Sequence, residues 1–84
     1  MNTNTPTPND VPLHAHVKVA VERYLSHLGS EEPSDMYALF LPELERPLLE
    51  ATLRYTRGNQ SRCAAILGLN RGTLRSKMKN YGLL

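Results

Sequence analysis

The chain contains a single cysteine, Cys63, among its 84 residues, and it has no hydrophobic run long enough to span a membrane. One cysteine excludes an internal disulfide framework. The apolar, helical setting of Cys63 predicts a packed thiol rather than a catalytic or metal-binding one. No signal peptide is evident, so we expect a cytoplasmic protein with no membrane partner.

The usual features of an active site are also scarce. The part predicted to be ordered has no paired carboxylates, no histidine beside a nucleophile and no phosphate-binding glycine loop. His14 and His16 are two residues apart and do not share a helical face, so they make a poor metal pair. Together with His27 they are better interpreted as surface histidines. We therefore predict that the protein is not an enzyme and binds no metal or cofactor.

Acidic residues are absent after Glu50. Up to that residue the chain has eight acids and three bases, a net charge of −5, whereas the remainder has seven bases and a net charge of +7; the two parts give the formal charge of +2. A C-terminal third of one sign is typical of a protein that binds a polyanion.

The stretch GNQSRCAAILGLNRGTLRSKMKNY (residues 58–81) predicts two short helices joined by a tight turn. Asn59 and Asn70 are candidate N-caps, and Gly68 suits the left-handed conformation of the turn. The predicted buried positions are Cys63, Ala64, Ile66, Leu67, Leu74 and Met78. This spacing is that of a DNA-binding helix-turn-helix. A hairpin that merely packs is the alternative, but such a hairpin has no reason to lack every acid.

The chain divides into three predicted parts. Residues 1–12 are mostly Asn, Thr and Pro and should be disordered. Residues 13–56 should form two dimerisation helices, and residues 57–84 the helix-turn-helix unit. The predicted apolar faces are Leu13, Val17, Ala20, Tyr24 and Leu28 on helix one, and Met36, Leu39, Phe40, Leu44, Leu48, Ala51 and Tyr55 on helix two. These faces are wider than the small basic unit can cover, which predicts a symmetric homodimer.

The two dimerisation helices have predicted boundaries. Helix one should end near Leu28, and helix two should extend from about Asp35 to Thr56 with Ser34 as its N-cap. Pro42 and Pro47 each remove a backbone donor, so we expect helix two to be kinked or divided there.

The residues RYTRGNQSRCAAILGLNRGTLRSKMKNYG closely resemble the C-terminus of the Fis family (factor for inversion stimulation) of bacterial nucleoid proteins. The resemblance continues upstream through DMYALFLPELERPLLEATL and covers about residues 13–84. Related helices end the nitrogen-regulation type of enhancer-binding activators, but those proteins carry a large ATPase domain for which this chain has no room. A free-standing Fis-like protein is therefore the better match.

The resemblance implies an all-α fold, with four helices per protomer and an intertwined homodimer core made of helices one and two. The C-terminal helix-turn-helix would read the major groove of double-stranded DNA. The two reading helices of such a dimer are closer together than successive major grooves, so the DNA would bend. A sequence-tolerant, DNA-bending transcription regulator of the nucleoid is thus expected. The alternative is a helical adaptor whose basic face binds an acidic protein.

By motif position, the resemblance assigns base contacts to Asn70 and Arg71. It assigns phosphate contacts to Asn59, Ser61, Arg62, Thr73, Arg75 and Lys77. The chemistry agrees, because an arginine in the first turn of a reading helix can bind the O6 and N7 atoms of guanine. Residues at a helix N-terminus, such as Asn59 and Ser61, favour a phosphate. Plain capping is an equal role for Asn59 and Asn70 and is compatible with a DNA contact.

Two features of the chain, the N-terminal tail and the residue at position 76, depart from the family pattern. The N-terminal tail is too short and proline-rich for the mobile β-hairpin arm by which the family activates a DNA invertase. Ser76 stands where the reading helix usually has a lysine, which would weaken phosphate affinity or change site preference. The tail therefore does not predict stimulation of site-specific inversion. RNA polymerase or a recombinase stays open as a protein partner.

Overall fold

A computed structural model of the chain describes residues 12–84. The described residues form four α-helices and no strand, which confirms the predicted all-α class. The helices are α1 (Leu13–His27), α2 (Met36–Tyr55), α3 (Gln60–Leu67) and α4 (Arg71–Asn80). The tail predicted to be disordered lies, apart from Pro12, outside the described residues.

The chain separates into two compact units at the boundary between Ser34 and Asp35. In the first unit, α1 has no buried residue, and it exposes the side chains of Leu13, Val17, Val19 and Leu25. The second unit comprises α2, α3 and α4. In this unit α2 packs against the hairpin that follows it, and the assignment of residues 13–56 to dimerisation stays a prediction.

Helix α2 is continuous from Met36 to Tyr55 and contains both prolines. The helix is therefore not divided at Pro42 or Pro47, and the expected kink stays a prediction. Each proline deprives the carbonyl four residues earlier of its partner, but those carbonyls belong to the exposed residues Ala38 and Glu43. Water can bond to an exposed carbonyl, so the helix continues past both sites.

The start of α2 also differs from the expectation. Asp35 rather than Ser34 occupies the N-cap position, with a φ of 55° and no capping hydrogen bond from its side chain. Its carbonyl accepts the first helical bond from the backbone N–H of Leu39 at 3.0 Å. A left-handed aspartate is tolerated better than most non-glycine residues.

The core of the second unit is formed by α2, α3 and α4 together. Its buried residues are Leu49, Cys63, Ala64, Leu74 and Met78, with Leu53, Leu67, Tyr81 and Leu83 half-buried around them. Leu49 was not on the predicted apolar face of α2, and it lies about 100° around the helix from Leu48. The residues Leu39, Leu44, Leu48 and Tyr55 of the predicted face are exposed in the single chain. Helix α2 thus has two apolar sides, one of which holds the hairpin.

Candidate nucleic-acid interface

The start of each helix in the α3–α4 hairpin is fixed by an asparagine. The Oδ1 atom of Asn59 accepts a hydrogen bond from the Arg62 backbone N–H at 3.0 Å. The Oδ1 atom of Asn70 accepts from the backbone N–H groups of Gly72 at 2.7 Å and Thr73 at 3.3 Å. Both predicted N-caps are confirmed. A β-carbon at Gly72 would lie 3.1 Å from the capping oxygen of Asn70, so glycine also leaves room for the cap.

The turn between the two helices depends on Gly68, whose φ is 73°. The backbone N–H of Leu69 then bonds to the carbonyl of Ala64 at 2.9 Å, which closes the C-terminal turn of α3. The positive φ of Gly68 and the burial of Ala64 confirm what the sequence predicts for these two residues. The turn therefore holds α4 at a fixed angle to α3.

The buried side of the hairpin is narrower than the sequence predicts. Cys63, Ala64, Leu74 and Met78 are buried and Leu67 is half-buried, as expected. Ile66, however, is 50% exposed. It lies about 110° from the centre of the stripe formed by Cys63, Ala64 and Leu67, so it cannot face the same neighbours. Burial raises the pKa of the Cys63 thiol, which favours a packed, unreactive cysteine.

Seven of the eight predicted DNA-binding residues are exposed, namely Asn59, Ser61, Arg62, Asn70, Arg71, Thr73 and Arg75. Arg71 and Arg75 are four residues apart in α4 and so lie on one side of that helix. The Nη1 atom of Arg75 donates to the Oε1 atom of Gln60 at 3.1 Å, which brings it beside the start of α3. The basic side of α4 and the N-terminus of α3 therefore share one surface.

Arg62 has a neighbour that the sequence did not predict. Its guanidinium carbon lies 5.3 Å from the centroid of the Tyr55 ring, a cation–π distance. Tyr55, assigned from sequence to the apolar face of α2, is 69% exposed. The ring limits the orientations open to Arg62. No local signal could have revealed the contact, because it depends on the angle between α2 and α3.

Lys77, the eighth residue, is half-buried and already bonded within the protein. Its Nζ atom lies 2.9 Å from Glu45 Oε2, and the Tyr81 hydroxyl donates to Glu45 Oε1 at 2.7 Å. The hydrogen bonds from Tyr81 and then from Lys77 hold the pKa of the Glu45 carboxyl below its ordinary value of 4.5. The same bond to Glu45 raises the pKa of Tyr81. Glu45 is therefore ionised at neutral pH.

Arg46 makes a further link to the C-terminal end of α4. Its guanidinium donates to the backbone carbonyl of Tyr81 and lies 6.0 Å from the centroid of the Tyr81 ring. Sequence reasoning missed Glu45, Arg46 and Tyr81, because a tally of charge along the chain does not reveal pairs more than 30 residues apart.

Within residues 12–84, no group of three His, Cys, Asp or Glu side chains is arranged to hold a metal ion. None of the helices in that range is long and apolar enough to cross a membrane.

Comparison with known proteins identifies a family for this arrangement. Residues 40–81 match the family model described as "Bacterial regulatory protein, Fis family". The chain is 53% identical over 72 residues to "DNA-binding protein Fis" of Mannheimia haemolytica, covering 86% of this chain and 74% of the relative. It is 50% identical over 74 residues to the protein of the same name in Glaesserella parasuis, covering 88% and 76%. The corresponding protein of Yersinia pestis is 50% identical over 72 residues, covering 86% and 74%.

Proposed function

The chain belongs to the Fis family of bacterial regulatory proteins, and from this we propose that it is a homodimeric transcription regulator that binds double-stranded DNA. The observation that carries the proposal is the exposed side of α4, where Arg71 and Arg75 follow a capped N-terminus on a hairpin without acids. This side fits a major groove, which admits one α-helix and presents acceptors to arginine.

Base reading is assigned to the first turn of α4. Arg71 makes no side-chain bond to residues 12–84 that would compete with guanine. Asn70 uses its Oδ1 atom as the cap, so its Nδ2 group is the part left to contact DNA. The two roles considered for Asn70 are thus compatible within one side chain.

Phosphate contacts are assigned to the residues that surround this turn, Asn59, Ser61, Arg62, Thr73 and Arg75. Ser61 lies in the first turn of α3, where backbone amides and the helix dipole favour a phosphate. Arg75 and Arg62 are each restrained by a neutral partner, Gln60 and Tyr55, so both keep their full positive charge for the DNA.

The proposed dimer rests on the apolar side chains that the single chain leaves exposed. They include Leu13, Val17 and Leu25 on α1 and Leu39, Leu44 and Leu48 on α2. A small domain with this much uncovered apolar surface is stabilised by pairing with a second copy. Two hairpins would then meet one duplex and bend it, as the family resemblance implies, and the protein would reside in the nucleoid.

A salt titration of duplex binding tests the proposal. Arg62 and Arg75 from two chains would neutralise about four phosphates, so log K should fall with log salt at a slope of about −3.6. Fluorescence anisotropy with labelled duplexes of different sequence would measure this slope. Weak binding that is the same for every duplex, together with tight binding to an acidic protein, would favour the adaptor alternative instead.

A further inference from the structure

The C-terminal end of α4 is joined to α2 by a set of polar contacts outside the apolar core. Glu45 binds Lys77 at 2.9 Å and Tyr81 at 2.7 Å, and its neighbour Arg46 bonds to the Tyr81 carbonyl. We call Glu45, Arg46, Lys77 and Tyr81 the α2–α4 clamp.

The α2–α4 clamp has the geometry of a positioning device. Both oxygens of one carboxylate are used, each by a donor on successive turns of the C-terminal end of the hairpin. Two directional bonds to one group resist rotation of α4 about its own axis. The apolar contacts of Leu74 and Met78 are not directional, so they restrain this rotation less. The rotation of α4 decides which side chains face a groove.

The state of Lys77 in the clamp also argues against a phosphate contact. The exposed fractions of the Lys77 and Glu45 side chains are 31% and 21%, so the pair is partly withdrawn from water. A phosphate would have to displace a carboxylate that already neutralises the ammonium group. The other bases assigned to phosphate contacts, Arg62 and Arg75, have neutral partners.

We infer that Glu45 is a positioning residue for the reading helix, and that Lys77 serves it as an anchor rather than as a phosphate ligand. The predicted effect of the clamp on DNA binding rests on the proposed function. The clamp itself forms within one chain, so its existence does not depend on DNA.

A double-mutant cycle on the unfolding equilibrium tests the mechanism without DNA. The variants are Glu45→Gln, Lys77→Gln and the double variant, with unfolding in urea followed by circular dichroism at one protein concentration. The two changes should be coupled. The equilibrium constant for unfolding of the double variant should be about 2- to 5-fold smaller than the value expected if the effects of the two single changes were additive. Effects that simply add would overturn the clamp even if the protein binds DNA.

DNA binding by the same variants tests the consequence. Glu45→Gln should weaken binding about 2- to 5-fold per chain, because binding must then restore the orientation that the pair supplied. A purely electrostatic effect has the opposite sign, since the change removes a negative charge. Lys77→Gln should weaken binding to a similar extent and leave the salt slope unchanged.

Two variants of α4 calibrate the slope. Arg75→Gln should make the slope less steep by about 0.9 per chain, whereas Lys79→Gln, at an exposed base outside the clamp, should change neither slope nor unfolding. A slope change for Lys77→Gln equal to that for Arg75→Gln, or tighter binding by Glu45→Gln, would overturn the inference. If the parent protein bound no duplex, the proposed function would be overturned. The double-mutant cycle on unfolding would then test the clamp by itself.

Discussion

Replacement of Leu74 by alanine is expected to lower the free energy of unfolding by about 2–5 kcal/mol. Leu74 is 0% exposed and lies in the only contiguous core that α2, α3 and α4 share within the described residues. Truncation removes buried methyl groups and leaves a cavity that the helices cannot close, since Gly68 and the cap of Asn70 fix both of them. The total free energy of unfolding of a small domain is roughly 5–15 kcal/mol, so this substitution would remove a large share of it.

The matched control is Ile66→Ala, in the same hairpin but at a residue 50% exposed. Urea unfolding followed by circular dichroism, at one protein concentration for all variants, would measure both changes. The loss of unfolding free energy for Ile66→Ala should be well under half of the loss for Leu74→Ala. Equal losses at the two positions would mean that Leu74 does not occupy the core described here.

Replacement of Arg71 by alanine is expected to weaken binding to a preferred duplex by about 1–3 kcal/mol per half-site and to relax the preference at one base pair. Arg71 stands at the first position of α4 with an exposed side chain. Truncation would remove the two guanine hydrogen bonds proposed for Arg71 but leave the Asn70 cap in place, because that cap uses the backbone of Gly72 and Thr73. The fold should therefore be unaffected.

Competition among duplexes that differ at single positions would measure the change in preference, and circular dichroism would confirm the fold. Lys79→Ala is the matched control, a base removed from the same helix at a position with no assigned contact. If Arg71→Ala bound every duplex as tightly as the parent protein, α4 would not be the reading helix.

Features that depend on neighbouring residues could be predicted from the sequence. The helix bounds of α3 and α4, the Asn59 and Asn70 caps and the positive φ of Gly68 all arise within a few residues. Their physical causes, a capping oxygen or a missing β-carbon, are visible in the sequence itself. The same locality explains why Leu74 and Met78 were correctly placed in the core.

Features that depend on the angle between helices could not be predicted in this way. Hydrophobic periodicity located one apolar side of α2 but missed Leu49, because the helix is apolar on more than one side. The bonds of Glu45 to Lys77 and Tyr81 join residues 32 and 36 positions apart, and a count of charges assigns them to opposite parts of the chain. Such pairs become visible only when α2 and α4 are placed together.

In the proposed complex two chains pair on one DNA, so that the exposed apolar side chains of α1 and α2 and the basic side of α4 act together. The mass of the complex with a single short duplex, measured by sedimentation with protein in excess, tests this directly. We predict two chains of 9.5 kDa per duplex at micromolar concentration. A stable complex that contains one chain per duplex under these conditions would contradict it.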